Sequence, residues 1–152
     1  MKSGQLLPVR SCDTITADAA LAIVRAAIEH GRQRGVRVVV AVTGPEGDLI
    51  ALWADDGAFS PSRGIAADKA YTAAVFRTST DDLAASLADD PLLIQGIAAR
   101  PRVVLFGGGM PIASDNTIIG AIGVSGGSQD DDRACAVAGI AALALPQREM
   151  KQ

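Results

Sequence analysis

The chain has 152 residues, is 49% hydrophobic but only 3% aromatic, and carries 14 basic against 17 acidic residues for a net charge of -3. A chain of this length buries well over half of its unfolded surface as one domain, so it needs neither disulfide nor metal to fold. Scattered basic residues, few aromatics and no apolar run near the roughly 18 to 20 residues of a membrane span give no footprint for nucleic acid or membrane. The N-terminus shows no charged-then-apolar signal pattern, which makes the cytoplasm the expected location.

Thr14 and Thr16 are candidate caps for a first helix running to about residue 34, with Leu21, Val24 and Ile28 on an apolar face beside Ala20, Ile23 and Ala27. Gly35 ends it. Val36 to Val42 is β-branched and short enough for a strand, and Gly44-Pro45-Glu46-Gly47 is turn chemistry leading into a second strand over 48–54. A loop over 55–62 precedes a helix over 63–76, Ala-rich and able to pack close to a sheet. A turn around 81–88 and a short helix over 91–99 follow, the latter with Asp90 and Pro91 as N-cap and first residue. Val103 to Phe106 reads as a short strand, Pro111 to Ala113 as another, and Asp115-Asn116 as a turn into Thr117 to Val124. An Ala-rich helix from about Asp130 to Leu145 closes the chain, its N-terminus favoured by Asp130, Asp131 and Asp132. Without a βαβ alternation, the order predicts an α+β fold: a single antiparallel sheet with flanking helices. No repeat or low-complexity linker divides it, so residues 1–152 are read as one domain with its core over about 14–145.

Glycines concentrate in Gly107-Gly108-Gly109-Met110-Pro111-Ile112 and in Gly120-Ala121-Ile122-Gly123-Val124-Ser125-Gly126-Gly127. Such runs let backbone approach a ligand and expose N–H groups, or they make tight turns and bulges. No GKS or GKT follows, and the strand-turn-helix context of a dinucleotide fingerprint is missing. Lys69 shares a helical face with Ile65, Ala66, Ala73 and Phe76, so its charge must snorkel, pair with a carboxylate such as Asp56 or Asp68, or meet an anionic ligand. His30 is the only histidine, which rules out multi-histidine metal sites. It reads as an exposed cation at the end of the first helix. Cys12 and Cys135 lack metal-ligand spacing and read as reduced thiols. Asp55-Asp56 and Asp81-Asp82 read as turn and cap residues, and no acidic cluster has Mg²⁺ or Ca²⁺ loop spacing.

The run GGGMPI, then IIGAIGVSGG, then Asp132 with Ala134, Ala136, Ala138 and Gly139, resembles the C-terminal half of the GlcG/HbpS family of haem-binding or haem-degrading small proteins, to which the C-terminal domain of PduO-type proteins also belongs. Asp56-Gly57-Ala58 and Lys69-Ala70-Tyr71-Thr72-Ala73 are similar to that family's DGA and KAxTA stretches, and the resemblance spans 16–145. In the first hairpin, Thr43-Gly44-Pro45-Glu46-Gly47 stands where many members have Val-Asp-x-x-Gly, so an acidic residue of the family is missing. The resemblance implies a profilin-like or PAS-like sandwich that assembles into homo-oligomers, from dimers to octamers. It also implies a small-molecule ligand, with haem or a similar planar anion as the leading expectation. The expected ligand-binding residues are Asp56, Lys69, Gly108, Gly109, Met110, Pro111, Gly123, Val124, Ser125 and Gly126, with His30, Met110, Tyr71 and the cysteines as the axial donors on offer. The alternative is a cofactor-independent lyase or isomerase acting on a small organic acid or aromatic carboxylate, similar to the hydroxylaminobenzoate lyases. Lys69 would then bind the carboxylate or act as acid/base, and Ser125 would stabilise developing charge.

Overall fold

A computed structural model describes residue 4 and residues 6–144. The first helix, α1 (Ala17–Gln33), is capped by Thr16, whose side chain accepts from the Ala19 amide at 3.2 Å. It ends as the sequence predicts. Gly35, at φ 77°, donates its N–H to Arg32, and Val36 donates to Gly31, the two bonds that close a helix through a left-handed glycine. The buried face is Ala20, Ile23, Val24, Ala27 and Ile28. Leu21 is 56% exposed, because the face centres on the 20/24/27 and 23/28 rows and leaves 21 to one side.

Strands β1 (Val39–Thr43) and β2 (Leu49–Ala54) form the expected hairpin, and β3 (Gly109–Ser114) and β4 (Thr117–Ser125) form a second one. All pairings are antiparallel and the sheet order is β2-β1-β4-β3. Asp115 and Asn116 both take positive φ, 48° and 63°, which is the two-residue turn that matches the twist of a hairpin. Between the hairpins run α2 (Ser62–Phe76), α3 (Thr80–Leu87) and α4 (Pro91–Ala98), and after them come α5 (Gln129–Ala141) and a short 3₁₀ turn, Ala142–Ala144. Leu145, the expected end of the last helix, lies outside the described residues.

Two expectations change. Residues 81–88, expected as a turn, belong to helix α3, whose cap Ser79 accepts from the Asp82 amide at 3.0 Å while Asp81 and Asp82 favour its first turn. Val103 to Phe106 is not a strand. The Val104 amide goes to the Thr72 hydroxyl at 3.0 Å, a bond to α2 in place of a ladder partner.

Alternation along the strands divides the core. Val40, Val42, Ile112, Ile122 and Val124 face α1 and α5, where they join Ile23, Val24, Ile28, Cys135 and Ala136. Val39 and Ala41 face Ala66 and Ala70 of α2, and Ala121 meets Ala73 and Ala74. The architecture is therefore α2 on one face of a four-stranded sheet and α1 with α5 on the other.

Candidate functional site

Lys69 is 1% exposed, far more buried than a lysine tolerates without a partner. Its Nζ donates to Asp132 Oδ2 at 2.9 Å and to the Val124 carbonyl at 2.8 Å, and it lies 5.0 Å from the centroid of the Phe106 ring. Asp132 is 3% exposed and accepts a second bond from the Gly127 amide at 3.0 Å. Burial lowers the Lys69 pKa and raises that of Asp132, each opposed by the other's charge. The carboxylate that answers Lys69 is thus neither Asp56 nor Asp68. Asp56 is exposed at the end of β2, and Asp68 pairs with Arg102 at 3.2 Å.

The three consecutive aspartates in the first turn of α5 divide their work. Ser128 is the N-cap and Asp131 completes a reciprocal capping box with it, Asp130 pairs with Arg133, and Asp132 turns inward to Lys69. Arg133 also grips Asp81 through two bonds of 2.6 and 2.9 Å, tying α5 to α3. Sequence reasoning took all of these as cap residues. The signal that could have found Asp132 is Cys135, Ala136 and Gly139 at three, four and seven residues after it, the small buried face of α5 on which it stands.

Around this pair the glycine-rich segments are packed rather than open. A Cβ on Gly109 would stand 2.6 Å from the Lys69 carbonyl oxygen, one on Gly108 2.8 Å from Lys69 Nζ, and one on Gly123 would overlap the Ala66 carbonyl. Gly108 also needs its positive φ of 123°. The amides have internal partners: Gly107 donates to Gln129 Oε1, Gly109 to Thr80 Oγ1, and Val124 to the Gly108 carbonyl. Gly126 approaches the Arg37 carbonyl. Ser125 is buried and its hydroxyl bonds to Ser62 Oγ at 3.1 Å, and among the described residues no general base bonds to it. Pro111 sits opposite Ala121, and Met110 packs on the core that faces α1.

His30 is half-buried in the last turn of α1, less exposed than expected, and forms no ion pair among the described residues. It stands on α1, in the layer opposite α2. Cys135 is buried and its thiol is pushed up to about 11 by burial, which keeps it protonated at neutral pH. Cys12 is exposed. Asp55 was read as an ordinary turn residue, yet it is buried and held at about 2 by a two-bond grip from Arg32 at 2.7 and 3.0 Å, with Arg37 at 3.2 Å. It fastens the end of α1 to the start of β1.

Surface cavities lie elsewhere. One of about 420 Å³ is lined by Cys12, Asp13, Thr14, Ser114, Asp115 and Thr117. Another, of about 300 Å³, lies between Tyr71, Val75 and Phe76 of α2 and the Arg100–Val103 segment. Among the described residues no His, Cys, Asp and Glu side chains group as a metal site, and no helix is long and apolar enough to cross a membrane.

Comparison with known proteins places this architecture. The chain is 34% identical over 121 residues, 79% of its length, to a 15.0 kDa protein encoded in the dhaT-dhaS intergenic region of Citrobacter freundii, of which 85% is covered. It is 33% identical, over 80% of its length, to the corrinoid adenosyltransferase PduO of Salmonella typhimurium, but spans only 36% of that protein. The crystal structure of Klebsiella pneumoniae ORFY superposes with a TM-score of 0.85 at 26% identity, covering 93% of this chain and 99% of that one. The PduOC:heme complex superposes at 0.78 and 32% identity, covering 85% and 94%. Residues 15–141 match the family described as haem degrading protein HbpS-like, and the chain belongs to that family.

Proposed function

We propose that this protein binds a small molecule of the HbpS type, with haem or a similar planar anion as its ligand. The observation that carries the reading is the PduOC relative, 32% identical over most of this chain and crystallised with haem. His30 is the iron donor best placed for it. One imidazole suffices for an axial bond, and half-buried on α1 it has no competing ion pair among the described residues. Three of the other candidates are worse placed: the Cys135 thiol stays protonated, the Tyr71 ring is covered by Arg102 at 4.0 Å, and Met110 packs on the core, which leaves the exposed Cys12 as the second donor to test. A ligand at Lys69, Asp56 and the glycines instead requires the Phe106 segment to swing away, and the packing there gives that arrangement no support.

The homo-oligomer remains part of the proposal. Helix α4 buries none of its residues, Leu92 is 80% exposed, and Leu49, Leu52 and Phe59 add exposed apolar surface at the β2 edge. A cytoplasmic location fits the two free cysteines.

Titration with hemin tests the reading. A saturable Soret band is expected, and His30→Ala should shift or weaken it while the melting temperature stays within a few degrees. A wild-type protein that gives no saturable band overturns the haem assignment. A band unchanged in His30→Ala moves the axial bond to another donor.

A further inference from the structure

The cavity beside α2 has the chemistry of a carboxylate site. Its floor is apolar: Val75 and Phe76 are 37% and 36% exposed, and Pro101 and Val103 close the opposite wall. Its rim holds two guanidinium groups, those of Arg100 and Arg102. Arg102 is already committed, stacked over Tyr71 at 4.0 Å and bonded to Asp68 at 3.2 Å. Arg100 is exposed and has no ion-pair partner among the described residues.

The wall is held in place. Thr72, fully buried, accepts from the Val104 amide at 3.0 Å, and its hydroxyl is shared between the Asp68 and Arg102 carbonyls at 2.8 and 3.0 Å. Arg102 takes a left-handed φ of 68°, a conformation that costs a non-glycine residue energy and persists only where neighbours enforce it. The Thr72 bonds and the Tyr71 stack do that here. A buried threonine, a strained arginine and a stacked aromatic together fix the Arg100–Val103 segment at one distance from α2.

The geometry points to a binding site for a flat, ring-bearing carboxylate, with the ring on Val75, Phe76, Pro101 and Val103 and the carboxylate on Arg100. Apolar floor and cationic rim answer the two ends of such a molecule, and a guanidinium fork matches a carboxylate through two parallel bonds. Size narrows the class. At about 300 Å³ the cavity is at the lower end of ligand pockets, roughly 300 to 1,000 Å³, so it suits one or two fused rings and cannot enclose a tetrapyrrole. The site rests on residues other than those of the haem reading, and the two can be tested separately.

2-Naphthoate is a suitable probe, with its uncharged carboxamide as control, followed by amide chemical shifts and calorimetry on the full chain. Naphthoate should bind saturably, shift the amides of 100–104 and of the end of α2, and bind better than the carboxamide. Arg100→Gln should weaken it about 10-fold, the low end for an exposed charge-assisted pair, and Arg100→Lys should recover part of the loss. Arg100 is exposed, so the melting temperature should not move and a folding defect cannot imitate the result. Equal binding of the carboxamide, unchanged affinity in Arg100→Gln, or no saturation at millimolar probe overturns the site. Hemin added first should leave naphthoate affinity unchanged, and displacement by hemin would overturn the independence of the two sites. The Soret titration reads the haem proposal separately, so either can fail alone.

Discussion

The two faces of the sheet solve the same packing problem with opposite materials. Toward α1 and α5 the strands present Val40, Val42, Ile112, Ile122 and Val124, a conventional branched aliphatic core. Toward α2 they present Val39, Ala41, Ala121, Gly109 and Gly123, and α2 answers with Ala66, Ala70 and Ala73, so that backbone nearly touches backbone. Close approach leaves no room for water, and the one long side chain there, Lys69, is enclosed with Asp132. The lesson is that a glycine run has two physical meanings, and the partner helix decides between them.

The comparison is sharpest when one methyl is added to the tight face and two are removed from the other. Gly123→Ala pushes a Cβ into the Ala66 carbonyl, where backbone must move, and overpacking of that kind reaches or exceeds the usual 1 to 3 kcal/mol. Val124→Ala on the aliphatic side should cost about 2 kcal/mol. Gly123→Val should be worse than either, beyond about 4 kcal/mol, and Gly109→Val should behave like it. Urea unfolding of the set checks the order. If Gly123→Ala proves milder than Val124→Ala, the two faces are equally tolerant and the contrast fails.

Much of this contrast was legible beforehand, and the reason it was misread is instructive. The α1 cap, the Gly35 stop, both hairpins and the Asp115-Asn116 turn depend on local chemistry, and all were readable from neighbours in sequence. The α2 helix was readable too, including its small face. What could not be read was that Ala66, Ala70 and Ala73 meet Gly109 and Gly123, since nothing local sets the register of a helix on a sheet. For the same reason Lys69 was offered two nearby aspartates, when its partner lies 63 residues on, at the start of another helix. Val103 to Phe106 looked like a strand because its residues have strand propensity, but the Thr72 hydroxyl claims the Val104 amide. Helix α3 was missed although Ser79-Thr80-Asp81-Asp82 is a helix start, hidden by its short length.

Breaking the ion pair probes the interior of the tight face. Lys69→Met leaves Asp132 buried with only the Gly127 amide, and loss of one partner from a buried pair costs about 3 to 5 kcal/mol. Protonation of Asp132, whose carboxyl burial already pushes upward, should hold the loss near 3. The double change Lys69→Met with Asp132→Leu should be more stable than Lys69→Met alone, because no charge is left unpaired. Thermal melts of wild type, both single variants and the double variant give the coupling directly. A Lys69→Met protein with wild-type stability would free Lys69 from its structural role and reopen it as a ligand group.

The smallest expected effect lies at the other end of the same face. Thr43 closes β1 fully buried, opposite Ala121, and its hydroxyl oxygen is a buried side-chain atom with no hydrogen-bond partner among the described residues. An unmet buried hydroxyl costs about 1 to 3 kcal/mol relative to a satisfied one, and this one brings no compensating bond. Valine has the same shape with a methyl in place of the oxygen, and the position lies in the fully buried run of a central strand where branched residues fit. Thr43→Val should therefore stabilise the protein, by about 1 kcal/mol, or a rise of roughly 2 to 4 °C in Tm for a domain of this size. The direction distinguishes the two faces. On the aliphatic side a truncation at a buried strand position removes contacts, whereas here a polar atom is exchanged for an apolar one at constant volume. A fall in Tm would mean that the hydroxyl has a partner in solution, a bound water or a ligand group, and Thr43 would then join the site rather than the core.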